Sequence, residues 1–235
     1  MYNKYIFINN NRRKKQKELE EQKKNENSQI SFDMLEQMNC NDIANKQEKL
    51  VQTAAMKKKQ KGKNLIKFID DYVLVDIETT GLSPIYDDII EIGAIKVKSN
   101  KIVDEYNELI KINRILPAKI TELTGITDEM LATGKMPKTV LEEFVKFVGD
   151  NVIIGHNVNF DLGFLYDKCK KYLNYYLNND YIDTLYLARK LVPNSYNHKL
   201  GTLAKLFNIS YEGAHRGLKD VEITYEVYNK LREIS

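Results

Sequence analysis

The sequence predicts an α/β fold in which antiparallel strands come first and crossover helices follow. Three observations carry this. Strand-like runs at 72–77, 87–98 and 102–112 succeed one another across short polar breaks. From residue 117 onward, helical periodicities alternate with two short apolar strands, 151–155 and 181–183. The first and fourth of these strands are almost wholly apolar, as strands covered on both faces are.

The first strand, 72–77, leads into Asp76 and Glu78. A period of two puts both acids on one face. Carboxylates at the end of a buried strand are costly unless positive charge lies between them. A metal ion meets that need; the ordinary alternative is a pair of surface acids at a fraying strand end. Thr79, Thr80 and Gly81 are turn chemistry, and Gly81 lets backbone approach a ligand closely. The run 87–98 alternates well enough for a second strand, 99–101 reads as a hairpin turn, and 102–112 as the antiparallel return.

Pro117 suits the first turn of a short helix over 117–123. Thr127, Asp128 and Glu129 resemble a helix start. Apolar residues at 140, 141, 144, 145 and 148 form a helical stripe. Strand 151–155 ends in His156 and Asn157, and Phe160 and Asp161 open an amphipathic helix. Phe160 offers either a stacking face or a core aromatic. Strand 181–183, helices over 184–191 and 200–207, and a closing helix over 214–231 complete the chain, with Val221, Tyr225 and Tyr228 on one stripe. On that last helix His215 and Asp220, five residues apart, are offset by about 140° and flank a common centre.

The front of the chain is different. Residues 1–64 carry about 15 Lys and Arg against about 8 Asp and Glu, so the body at 65–235 is slightly acidic. This segment is poor in apolar residues and reads as a basic extension, disordered or partly helical. It is either a solvated tail or an arm for nucleic acid or a protein partner. No apolar run is long enough to span a membrane, and the start lacks the form of a signal peptide. The two cysteines, Cys40 and Cys169, form no CxxC pair. That excludes a thiolate zinc site and a disulfide frame and points to a reducing, cytoplasmic setting.

Three places put ligand-type residues where packing does not ask for them: Asp76 with Glu78, then Asp161, then His215 with Asp220. Taken singly, Asp161 is also a helix N-terminal acid, His215 a surface histidine and Asp220 a solvated helix acid. Taken together they are four carboxylates and one imidazole. Oxygen-only donors select hard cations, Mg²⁺ or Mn²⁺, over zinc. Two divalent ions would cancel the four charges and admit a phosphate, where a two-metal centre clamps the oxygens of an in-line displacement. A neutral His215 could take a proton from water.

The stretches Asp76–Leu82, His156–Asp161 and His215–Asp220 resemble the three exonuclease motifs of the DnaQ-like superfamily, DEDDh type. Asp88–Gly93 and Leu123–Thr127 match as well. The text is especially similar to the proofreading exonuclease domains of PolC-type bacterial DNA polymerase III, over roughly residues 70–232. The resemblance implies a ribonuclease H-like fold, a five-stranded mixed sheet flanked by helices. It implies a 3′→5′ exonuclease that releases nucleoside 5′-monophosphates from DNA, in proofreading or repair. An RNA-trimming enzyme and a non-catalytic nucleic-acid-binding or polymerase-docking factor are the alternatives.

By the same match Asp76, Glu78, Asp161 and Asp220 hold two divalent cations, with Asp76 bridging, and His215 is the general base. Thr79, Thr80, Gly81 and Leu82 lie by the terminal nucleotide, with Leu82 wedged against its base. His156, Asn157 and Phe160 line the strand's path. The partners implied are nucleic acid with a free 3′ end and a DNA polymerase, with no membrane. Two positions depart from the family: Gly217 replaces the usual Ala, and Lys219 stands where an acid is common. Neither is a motif ligand, so tuning rather than loss is expected. No polymerase palm, fingers or Walker motif occurs in the sequence, which suggests a free-standing exonuclease or a subunit.

Overall fold

The computed structural model describes residues 62–235. The expectations for the basic extension lie almost wholly outside the described residues. Five strands form one mixed sheet in the order β3-β2-β1-β4-β5. They are β1 (Tyr72–Thr79), β2 (Ile89–Lys98), β3 (Lys101–Leu109), β4 (Ile153–Gly155) and β5 (Tyr181–Asp183). β1, β2 and β3 pair antiparallel as a meander, while β4 and β5 join in parallel on the other side of β1. This is the five-stranded mixed sheet expected from the sequence. The β2–β3 turn is tighter than 99–101: Ser99 and Asn100 both have positive φ, 49° and 61°, and Lys101 already pairs with Lys98. A two-residue turn of this kind matches the twist of antiparallel strands.

Seven helices flank the sheet among the described residues: α1 (Ala118–Thr124), α2 (Asp128–Thr133), α3 (Pro137–Val148), α4 (Asn159–Leu173), α5 (Thr184–Leu191), α6 (Leu200–Leu206) and α7 (Gly217–Glu233). The Thr127 hydroxyl caps α2 by accepting from the Met130 N–H at 3.3 Å, so the helix start read at 127–130 is real. β1 is the spine. Its Val73, Val75 and Ile77 pack with Phe144 of α3 and with Phe164 and Leu165 of α4. Its Tyr72 and Leu74 face the other way, onto Val221, Val227 and Tyr228 of α7 and Leu203 of α6. Each such fully buried side chain contributes roughly 1.5–3 kcal/mol. Together the two layers fix the C-terminal end of β1 from both sides.

The closing helix begins later than expected. It starts at Gly217, not 214, because His215 adopts φ 68° and Arg216 is extended at the N-cap. His215 therefore stands on the loop before α7, and the 140° offset from Asp220 on a shared helix does not apply. No helix among the described residues is long and apolar enough to cross a membrane.

Candidate active site

The row Tyr72, Leu74, Asp76, Glu78 runs along one face of β1. The first two are fully buried against the α7 layer, and the last two emerge half-buried as the strand ends. The same layer supplies Asp220 from the first turn of α7. Carboxylate oxygens of Asp76, Glu78 and Asp220 lie within 4.8 Å of one another. Asp161, in the first turn of α4, reaches the site from the opposite layer. Its Oδ1 accepts the Ile77 N–H at 3.1 Å, directly between the two strand acids. Three acids thus converge within that distance, and Asp161 comes up to the same strand end from the other layer.

Their charges oppose one another in a partly dehydrated site. Burial, and then Asp161, Asp220 and Glu78, push Asp76 well above the usual carboxylate range. Burial followed by Asp220 and Glu91 pushes Glu78 up to about 8. Burial likewise raises Asp161 to about 8, against the backbone N–H groups that favour its charged form. Asp220 is raised by burial, in part offset by the His215 N–H, which donates to its Oδ2 at 3.0 Å. Metal-free, the cluster favours bound protons.

Two residues given no role from the sequence organise this site. Glu91 of β2 is paired with Glu78 across the ladder and is completely buried. It accepts from the Arg216 guanidinium at 2.8 Å (Nη2) and 3.1 Å (Nε), and from the Gly217 N–H at 2.9 Å. This forked ion pair ties the start of α7 to β2 and brings a positive charge beside Glu78. The signal was present as an acid inside an otherwise apolar strand and an arginine beside His215, but nothing local links positions 125 residues apart. Gly93, the ladder partner of Asp76, lies against Gly217: a Cβ on Gly93 would stand 2.1 Å from the Gly217 carbonyl carbon. The departure at Gly217 thus sits at a backbone-to-backbone contact. Lys219, the other departure, pairs with Glu222 at 2.9 Å.

The residues assigned to the substrate by resemblance fall into two groups. In the β1–β2 loop, the Thr79 hydroxyl donates to the Gly81 carbonyl at 2.6 Å, and the Thr80 hydroxyl accepts from the Asp88 N–H at 3.0 Å and contacts Arg114. Both threonines are buried and hold the turn, while Leu82 projects with 84% of its surface exposed. Gly81 does make a close approach, but to Asp87: a Cβ there would lie 2.4 Å from that carboxylate.

In the β4–α4 turn, Asn157 has φ 61°, and its N–H donates to Asp183 at 3.0 Å. His156 donates through Nε2 to the His198 carbonyl at 2.8 Å, leaving Nδ1 for the Thr184 hydroxyl at 2.9 Å. Burial lowers its pKa, so both ring nitrogens serve the fold in the neutral form. Phe160 is half-buried, its ring 5.1 Å from that of Phe164.

The donor set fits a divalent cation. All four candidate ligands are carboxylates, and Asp220 Oδ1 is buried with no hydrogen-bond partner among the described residues. An orphaned carboxylate oxygen beside two further acids is a position a cation would satisfy.

Comparison with known proteins agrees with this geometry. A family model described as exonuclease (RNase T) matches residues 73–228. The DNA polymerase III PolC-type of Bacillus subtilis is 44% identical over 156 residues, covering 66% of this chain and 11% of the polymerase. That of Latilactobacillus sakei is 43% identical over 163 residues, 69% of this chain and 11% of the relative. The chain therefore spans about a tenth of these relatives. Among solved structures, E. coli exonuclease I in complex with a dT13 oligonucleotide superposes with a TM-score of 0.62 at 20% identity, covering 71% of this chain and 42% of that one. Exonuclease X in complex with 5′ overhanging duplex DNA gives 0.56 at 24% identity, covering 70% and 92%. These likenesses establish the ribonuclease H-like fold. The family model spans more than half of the sequence and takes in every acid of the cluster, and on that ground the chain belongs to the exonuclease family.

Proposed function

We propose that this protein is a metal-dependent 3′→5′ exonuclease that shortens DNA from its 3′ end and releases nucleoside 5′-monophosphates. The observation that carries the reading is the convergence of Asp76, Glu78 and Asp220 within 4.8 Å beside Asp161, with one Asp220 oxygen unpartnered. Asp76, Glu78, Asp161 and Asp220 would hold two divalent cations, Mg²⁺ or Mn²⁺. Bound there, such ions lower the pKa of water and offset the charge of the phosphate.

The chain's own residues do the rest. His215, exposed and bonded through its N–H to Asp220, would accept the proton of the attacking water at a ring nitrogen. Glu91 and Arg216 keep Asp220 and His215 in place. Leu82, held out by the buried Thr79–Gly81 turn, meets the terminal base. Phe160 and the turn at His156 and Asn157 form the wall along which the strand passes, with His156 acting through that turn. DNA is favoured as substrate because the PolC relatives are DNA polymerases and the exonuclease I and X structures hold DNA. Residues 65–235 form the exonuclease domain. Residues 1–64 are a basic arm for nucleic acid or a DNA polymerase that this domain would serve in the cytoplasm.

The test uses 5′-labelled single-stranded DNA, 3′-mismatched duplex DNA and RNA with the purified protein, each with Mg²⁺, Mn²⁺ or EDTA. The expected result is a ladder shortened from the 3′ end of DNA with either ion and none with EDTA. Faster loss of RNA would replace the DNA reading with RNA trimming. Intact strands under every condition would refute the enzyme.

A further inference from the structure

The candidate general base is held in an unusual way. Its backbone is fixed: His215 has φ 68°, and its N–H donates to Asp220. Its ring is not, because among the described residues no hydrogen-bond partner engages either imidazole nitrogen. A catalytic imidazole is ordinarily aimed by a third group bonded to its second nitrogen. Here one neighbour occupies that place. The Tyr211 ring meets the His215 ring edge to face, with centroids 6.2 Å apart and planes at 86°. This is a preferred geometry for aromatic pairs.

Tyr211 is itself seated. Gly201 in α6 lies beneath its ring, and a Cβ at that position would stand 3.1 Å from Cε1 and Cζ. The Ala214 N–H donates to the Tyr211 carbonyl at 3.4 Å, and Gly213 takes φ 77°, so the chain turns tightly from the tyrosine to the histidine. α6, Tyr211 and His215 thus form one stack that ends at the acid cluster. Burial, and then the charges of Asp220, Asp76 and Glu78, raise the Tyr211 phenol, so the ring lies within the field of the acid cluster.

We infer that Tyr211 is a positioning residue that aims the His215 imidazole through ring contact, standing in for the hydrogen-bonded group that the site lacks. The inference rests on the exonuclease reading. The aromatic ring, not the hydroxyl, performs the task.

The experiment measures kcat and KM on 5′-labelled single-stranded DNA with Mn²⁺ for wild type, Tyr211→Ala, Tyr211→Phe, His215→Ala and the double variant. Tyr211→Ala should lower kcat about three- to tenfold, the range an aromatic pair supports, with KM unchanged. Tyr211→Phe should stay near wild type. In the His215→Ala background, Tyr211→Ala should have no further effect. Circular dichroism checks folding. Should Tyr211→Ala unfold, Tyr211→Leu, which keeps bulk at the site but removes the aromatic ring, should give the same kcat loss with KM unchanged.

An active wild type with an unaffected Tyr211→Ala overturns this inference alone. So does a rise in KM, a defect equally large in Tyr211→Phe, or a loss that persists without His215. An inactive wild type overturns the exonuclease reading itself and this inference with it.

Discussion

Raising the pH without metal should destabilise the protein, and a divalent cation should abolish that loss. Glu78 lies at about 8, against 4.5 for an ordinary glutamate, so its proton is retained in the folded state and lost in the unfolded one. A raised carboxylate contributes stability in its protonated form. That contribution is full below the unfolded pKa and is lost as pH rises through the folded one. Integrating the linkage from pH 6.5 to pH 8 gives about 1.5 kcal/mol for one such group. Asp161, also near 8, acts in the same direction.

The window must begin near pH 6.5. His156, buried and neutral, contributes with the opposite sign as the unfolded histidine takes up a proton, mostly below pH 6.5 and fading above it. The assay is urea denaturation in EDTA at pH 6.5, 7.2 and 8, repeated with Mn²⁺. Stability should fall with pH in EDTA, and the slope should flatten with Mn²⁺ as the ion displaces the protons. Glu78→Gln should weaken the EDTA slope. A metal-free stability that is constant or rising across this window would refute the electrostatic account of the cluster.

Other perturbations test the supporting parts. His215→Ala should lower kcat by about 10²–10⁴-fold, as loss of a general base does, and Asp76→Ala should lower it further, both read on single-stranded DNA. Gly93→Ala places a methyl 2.1 Å from the Gly217 backbone, so the helix must move off the strand. A cost of about 1–3 kcal/mol in thermal unfolding is expected, with weaker metal binding by calorimetry because Asp220 moves with α7. Arg216→Met leaves Glu91 buried with only the Gly217 N–H. The loss in urea denaturation should be about 2 kcal/mol, below that of a fully buried pair because the arginine side chain is 38% exposed.

What the sequence revealed, and what it did not, follows from range. Strand periodicity put Asp76 and Glu78 on one face, and the structure places them in the row begun by Tyr72 and Leu74. Helix stripes such as 140, 141, 144 and 148 read correctly because burial imposes their spacing. The start of α7 was misplaced because local pattern continues through Ala214. The break comes from the His215 N–H, which donates to Asp220 in the first turn, together with the long-range Glu91 fork on Gly217. The seating of Gly217 on Gly93 and the pairing of Glu91 with Arg216 join distant segments, so no window of sequence contains both halves. His156 illustrates the reverse: its place in a motif pointed toward substrate, whereas its two nitrogens are engaged by Thr184 and His198.

The central claim is that these acids form a cation site. Anomalous diffraction from crystals grown with Mn²⁺ tests it most directly. The account predicts manganese peaks within coordination distance of the Asp76, Glu78, Asp161 and Asp220 carboxylates, with Asp220 Oδ1 taken up as a ligand. Manganese absent from this cluster, or bound only elsewhere on the surface, would contradict it.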